Sequence, residues 1–487
     1  MSEKVSTPTK QTLAERTTAD LVKAAMSGWL GTALEFMDFQ LYSLAAALVF
    51  SELFFPKGNP GIAVVSAMAI YGVGYVARPI GAWYFGRLGD RIGRKKVLYI
   101  TIALMGVATT LIGFLPTYQQ IGLFAPILLV LLRLIQGFGA GAEIAGASVM
   151  LAEYAPPRRR GIISSLVALG TNSGTLFASL VWFLLVQFTS EQQLIDWGWR
   201  IPFVGSVLVM ALAVYIRLHL KETPVFEATQ EELLEAYDRP LPKAGDGDAH
   251  AVAKPIAKPI AKPTERISVK AFLAASALRF GQSGNSGMVQ TYLVSFLAVN
   301  LLFSKAVATQ IVIYSSILGF LTVPLVGMLG DRFGRRTVYR AITAIGMVVI
   351  VPCFLGIVHG VGTHTVPTKV DGKIVEYFDQ PALWFYISYI LLHNLTVLAF
   401  FSLENITMAE MFGGQRRYEA LALSKELPNL LTAGFGPLVA AWLVTLFSGS
   451  WIPLACLMFF YTGTTLVAAL VMPEVTDRDL TEPKDAM

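Results

Sequence analysis

The chain has 487 residues, 54% of them apolar and only 15% charged, with 38 basic and 33 acidic side chains for a net charge of +5. Mean hydropathy is +0.59, and the charge content is far below the quarter or so usual for a soluble domain. This excludes a soluble multidomain enzyme, a disordered chain, a disulfide scaffold and an outer-membrane barrel, whose strands alternate apolar and polar residues.

Bilayer-spanning helices need roughly 20 mostly apolar residues each. Twelve such spans are predicted, near residues 22–50, 62–86, 97–115, 122–151, 162–188, 200–219, 269–300, 306–329, 338–361, 382–408, 420–447 and 452–472. The polar stretch 1–20 has no apolar core of a cleaved leader, so the first span is expected to direct insertion. Cations gather in the even-numbered connections: Arg87, Arg91, Arg94, Lys95 and Lys96; Arg158, Arg159 and Arg160; Arg332, Arg335, Arg336 and Arg340; Arg416 and Arg417. Such clustering places those connections, and both termini, on the cytoplasmic side of a cell (inner) membrane. It explains the basic balance without nucleic acid. The two cysteines, Cys353 and Cys456, sit inside apolar runs and allow neither a disulfide framework nor a metal site.

Spans 6 and 7 are separated by a charged stretch containing the Lys-Pro repeats of residues 253–263, which reads as a semi-extended linker. The expected organisation is a six-helix bundle over 1–219, a cytoplasmic linker over 220–268, a second bundle over 269–472 and a cytoplasmic tail over 473–487. The halves repeat one another. Gly86-Arg-Leu-Gly89-Asp90-Arg91-Ile-Gly93-Arg94-Lys-Lys-Val97 recurs as Gly327-Met-Leu-Gly330-Asp331-Arg332-Phe-Gly334-Arg335-Arg-Thr-Val338, identical at eight of twelve positions with an offset of 241. A fainter echo pairs Ala152-Glu153 and Arg159-Arg160 with Ala409-Glu410 and Arg416-Arg417. Duplicated halves around a midplane site are a transporter architecture.

These motifs resemble those of the major facilitator superfamily, and others narrow the resemblance to its metabolite:proton symporters. They are Gly31-Thr-Ala-Leu-Glu35-Phe-Met-Asp38-Phe39, Ala77-Arg78-Pro79-Ile-Gly81, Arg133-Leu-Ile-Gln136-Gly137-Phe-Gly-Ala-Gly-Ala-Glu143, Glu153-Tyr-Ala-Pro156 and Trp199-Arg200-Ile-Pro202-Phe203. The resemblance implies an all-α fold of two six-helix halves and an alternating-access symporter, not an enzyme. It implies no cofactor, and a proton plus an organic anion or zwitterion as cargo. It requires no oligomer. Relatives of this kind carry 2-oxoglutarate, citrate, shikimate, or proline and betaine. The chain departs from the family after helix 10, where Phe412-Gly-Gly lacks the usual proline, and on helix 11, where Ser424-Lys425-Glu426 is unexpected. An efflux antiporter of the same fold is the rival reading, weakened by the absence of proline from Leu169-Gly-Thr-Asn172-Ser-Gly174.

Ions inside a membrane are costly, roughly 2.5–3.5 kcal/mol each at a helix centre, so each marks a site or a structural pair. Glu35 and Asp38 share a face of helix 1 with Tyr42 and are the candidates for carrying the proton. Arg133 and Glu143 on helix 4 are added to them, Arg133 because the resemblance associates it with proton coupling. They lie about 15 Å apart along the helix, too far to pair. Arg78 is either a fixed cation for a substrate carboxylate or the ion-pair partner of Glu35 or Asp38. With Tyr42, Gln136 and the helix 7 stripe of Arg279, Gln282, Ser286 and Gln290, it forms the expected substrate set. His393 and Glu404 on helix 10 share a face, and their part in transport is open; so is that of Lys425, which could snorkel to the interface, and Glu426. Gly89, Asp90, Arg91, Arg94 and Glu153, with Gly330, Asp331, Arg332, Arg335 and Glu410, are read as cytoplasmic latches that bias one face closed. No phosphate-binding loop of the Walker type is present, so ATP does not drive the cycle.

Overall fold

A computed structural model describes residues 18–55, 60–92, 94–141, 148, 151–152, 155–218, 267–370, 373–413, 417–480 and 484–487. Among the described residues the regular structure is helical, apart from one hairpin outside the expected bilayer. Helix 1 is Thr18–Ala45, continued through a wide turn at Ala46–Phe50; helix 2 is Pro60–Val76 and Arg78–Ile92. Helices 3 to 6 are Arg94–Ile112, Phe124–Ala140, Arg160–Phe188 and Arg200–Leu218. In the second half, helix 7 runs Val269–Ser286 and, past a π-turn, Leu293–Val299; helices 8 and 9 are Lys305–Phe333 and Arg335–His359. Helix 10 is Leu383–His393 with Ala399–Met411, helix 11 is Arg417–Asn429 with Gly436–Leu446, and helix 12 is Ile452–Val471.

Eight of these described spans are long and apolar enough to cross a bilayer by themselves, and a ninth is the pair Glu191–Gly198 and Arg200–Leu212, bent by 48°. Tyr99–Ile112 and Phe124–Ala140 are shorter apolar helices. Helix 7 completes the twelve; its hydropathy is diluted by Arg279, Gln282, Ser283, Asn285, Ser286 and Gln290, all facing inward. The outer belt is the reverse of a soluble surface: Leu208, Leu321, Val348 and Val467 are more than half exposed, whereas Glu35, Arg78, Arg133, Arg279 and Glu404 are buried. In lipid the apolar residues need no cover, and the interior gains from packing and polar contact instead.

Three of the helices in the second half carry a π-turn within their span: Gly287–Tyr292, Asn394–Leu398 and Leu430–Gly434. Each inserts an extra residue into a turn, a feature concentrated at functional sites. Helix 2 breaks at Ala77, next to Pro79, which has no N–H to extend the ladder. Between helices 9 and 10 a hairpin of β1 (Thr365–Val370) and β2 (Lys373–Phe378) forms, with Val370 opposite Lys373. Its sequence carries alternation and an Asp371-Gly372 pair, the strongest short hairpin signal.

The stretch after helix 12, expected to be a plain tail, is built into the second half. Glu474 accepts from the Arg335 N–H at 2.9 Å, and Asp485 accepts from Gly413 N and Ser268 N, both at 2.7 Å. The expected linker lies outside the described residues, apart from its last two.

Candidate substrate site

A closed cavity lies where the halves meet. Glu35, Phe36, Phe39, Tyr75, Arg78 and Thr171 line it from the first half; Arg279, Gln282, Ser283, Ser286, Gln290, Phe401 and Asn429 face them from the second. The free space holds on the order of two or three water molecules. The whole helix 7 stripe predicted from spacing borders this space.

Arg78 is the centre of the site. Its Nη2 donates to Glu35 Oε1 at 2.9 Å, and its Nε donates to Glu426 Oε2 at 2.8 Å. Glu35 belongs to the first half and Glu426 to the second, so one guanidinium joins the two. Arg279 mirrors it: Nη1 donates to Glu404 Oε1 at 3.0 Å and to Gln282 Oε1 at 2.9 Å. Lys425 sits between these clusters. It does not snorkel; it is 1% exposed, its Nζ donates to Asn405 Oδ1 and, at 3.3 Å, to Ser148 Oγ, and Glu404 is 4.0 Å away. Three cations thus meet three carboxylates, all buried. Such company stabilises each ion, because leaving a buried charge unpaired costs several kcal/mol.

The aromatic walls are already occupied by cations. The Arg78 guanidinium carbon lies 5.0 Å from the Phe39 ring centre and 5.5 Å from that of Tyr75; Arg279 lies 5.5 Å from Phe401.

Asp38 lies elsewhere. It borders a second pocket between helices 1, 3 and 6, lined by Leu34, Ile102, Met105, Gly106, Val209 and Met210. Glu35 borders both spaces. Thr109 Oγ1 donates to Asp38 Oδ2 at 3.2 Å and accepts from Gln136 Nε2 at 2.8 Å, and Gln136 Oε1 accepts from Arg133 Nη1 at 2.5 Å. Arg133 is held by Tyr42, 3.9 Å from guanidinium carbon to ring centre, and by the Tyr71 carbonyl at 3.0 Å. Gln136 and Tyr42 were expected to bind substrate; neither borders the cavity, because both are used up in holding Arg133. Glu143 and Glu153 lie outside the described residues.

His393 is buried between Ser315 Oγ, 2.5 Å from Nδ1, and Gln290 Nε2, 2.8 Å from Nε2.

Both ends of the cavity are shut. Towards the basic connections, Asp331 accepts from Gly161 N at 2.7 Å and Ile162 N at 3.0 Å, satisfying the first turn of helix 5 from the other half. Arg335 binds Asp331 at 2.8 Å and Glu410 at 3.2 Å, and Arg160 approaches Glu410 at 3.9 Å. This works because Gly161 and Gly327 let the helices touch: a Cβ on Gly161 would meet the Gly327 carbonyl oxygen at 2.5 Å. Gly334, with φ +89°, turns the chain from helix 8 to helix 9. Arg332, expected in this latch, has no carboxylate partner among the described residues and points into an outer groove. Gly89, Asp90 and Arg91 lie on helix 2 and Arg94 opens helix 3, but their side chains are outside the described set. At the opposite end, Ser43 Oγ donates to Thr291 Oγ1 at 2.8 Å, Gln40 donates to the Gln290 carbonyl at 3.3 Å, and Lys305 bridges Glu191 and Glu52.

Two helical halves closing on a charged midplane cavity define a secondary transporter of the major facilitator fold. The chain belongs to the Sugar (and other) transporter family, whose model matches residues 25–485. It is 49% identical to YdfJ of Escherichia coli K12 over 92% of this chain and 96% of that one. It is 32% identical to the shikimate transporter of the same organism, over 93% and 94%, and 33% identical to its proline/betaine transporter, over 94% and 85%. Among solved structures it resembles the proton:xylose symporter XylE, with a TM-score of 0.67, 16% identity and coverage of 96% and 99%. The chain is therefore a multi-pass membrane transporter and not an enzyme.

Proposed function

We propose that this transporter imports a small mono- to tricarboxylate together with protons across the cell inner membrane, with both termini cytoplasmic. The observation that carries this reading is Arg78, at the wall of the closed cavity, shared by Glu35 and Glu426. With all groups ionised, Arg78, Arg279 and Lys425 are balanced by Glu35, Glu404 and Glu426. An added carboxylate makes the site anionic unless a proton arrives with it. For a monocarboxylate, a proton on Glu35 restores neutrality and releases one edge of Arg78 for bidentate contact with the substrate; each further carboxylate needs a further proton. Glu35 suits this role because it borders both the cavity and the pocket of Asp38. Asp38 then acts as the proton's other station, with Arg133 holding its environment through Gln136 and Thr109.

One proton with a monocarboxylate moves no net charge, so the pH difference drives that cycle, and each further proton adds about 2.3 kcal/mol per 100 mV of membrane potential. The amide and hydroxyl groups of Gln282, Ser286, Gln290 and Asn429 would hold the rest of a polar acid. A compatible solute with a quaternary ammonium would need an aromatic cage, and here Arg78 and Arg279 stand over those rings.

The test is uptake into vesicles with an imposed proton gradient. Organic acids should compete for uptake, and Asp38→Asn should abolish uphill accumulation at normal expression. Strong competition by proline or glycine betaine alone, or accumulation by the variant, would overturn the assignment.

A further inference from the structure

We propose that the cytoplasmic groove between helices 5 and 8 is a binding site for an anionic phospholipid, and that the bound lipid braces the closed gate. Arg158 and Arg159 stand at one rim, from the first half, and Arg332 at the other, from the second. All three are exposed; among the described residues none of their guanidinium groups is in an ion pair or hydrogen bond, and that of Arg332 lies over the Phe333 ring at 5.3 Å. Their neighbours differ: Arg160 and Arg335 turn inward to Glu410.

Two acids also border the groove. Asp331 is committed, one oxygen to Gly161 N and Arg335 and the other to Ile162 N. That leaves Asp477 against three arginines. The excess positive charge suits a phosphate, which guanidinium groups bind through paired N–H donors.

The apolar part of the groove says which phosphate. Ile162 forms part of the floor, and Met328 opens it onto the outer face of helix 8. Met328, Leu325 and Leu321 follow one another on that face and are 46%, 44% and 63% exposed. A headgroup at the arginines would lay its acyl chain along this strip, whereas a free anion would leave it unused. Basic pockets between helices on the cytoplasmic side are known lipid sites in general.

The consequence follows from where the arginines come from. One phosphate held by both rims ties the halves together on the outside of the Asp331 latch. It resists the parting of helices 5 and 8 that opening to the cytoplasm requires.

The full-length protein is purified in detergent and examined by native mass spectrometry with phosphatidylglycerol or phosphatidylcholine added. The wild type should retain phosphatidylglycerol selectively. Arg159→Gln with Arg332→Gln should weaken retention roughly thirtyfold, and the paired Lys variants should keep most of it. In nanodiscs, phosphatidylglycerol should slow alkylation of a cysteine placed at Ser165 in the wild type and not in the Gln variant. Equal retention of both lipids, retention unchanged in the Gln variant, or displacement by millimolar inorganic phosphate would each overturn the proposal.

Discussion

Glu426→Gln isolates the tie that Arg78 makes between the halves. In the wild type Glu426 accepts from Arg78 Nε at 2.8 Å and from Nη2 at 3.3 Å. Two charges about 4 Å apart attract by about 4 kcal/mol at an effective dielectric near 20. Much of this is offset by desolvation, and a charge-assisted hydrogen bond has a net worth of about 1.5–3 kcal/mol. The amide keeps one acceptor and Glu35 still neutralises Arg78, so the loss should fall at the low end, about 1.5 kcal/mol. That corresponds to roughly a tenfold shift of the closed-to-open equilibrium towards the state in which helices 2 and 11 have parted. The assay is alkylation of a cysteine at Ser286, which borders the cavity, from the cytoplasmic side of inverted vesicles. Cys353 and Cys456 are first removed. Alkylation should rise about tenfold in the Glu426→Gln background. A rate equal to wild type, in a variant that folds normally, would show that the bridge does not hold the gate.

Three further outcomes are expected. Asp331→Asn loses the ion pair with Arg335 and weakens the cap on helix 5; it should slow turnover while equilibrium substrate affinity changes much less than in Arg78→Ala, measured by uptake and by binding on purified protein. Gly161→Ala puts a methyl against the Gly327 carbonyl, an overpacking worth about 1–3 kcal/mol, and should reduce cross-linking of cysteines placed across helices 5 and 8. Arg279→Lys keeps a charge for Glu404 and Gln282, which Arg279 reaches through the single nitrogen Nη1, but loses the guanidinium's other donors for a substrate carboxylate; uptake should fall at least tenfold while thermal stability changes little.

The helix 7 stripe shows how far spacing carries. Residues 279, 282, 286 and 290 were placed on one face by their periodicity, and that face borders the cavity. The π-turn at Gly287–Tyr292 was not legible, because an extra residue in a turn leaves no local signature when packing and not propensity selects it. Gln136 and Tyr42 sit on faces that looked available from their own helices. The decision lay with Arg133, which needs partners and draws both away from the cavity. Lys425 is the clearest miss. Close to a helix end it could have reached water, and instead Asn405, Ser148 and Glu404 surround it.

The chain's sequence by itself determined the apolar lengths, the duplicated halves and the sites where an ion must be accommodated. These are local properties: a run of apolar residues reports the bilayer, and a charge within it reports a cost. Only the tertiary structure decided which ions share that cost. Arg78 meets Glu426 from 348 positions away, and Asp331 caps helix 5 from 170. Such pairs are selected by the docking of two halves, and a buried charge specifies that it needs a partner without specifying which one.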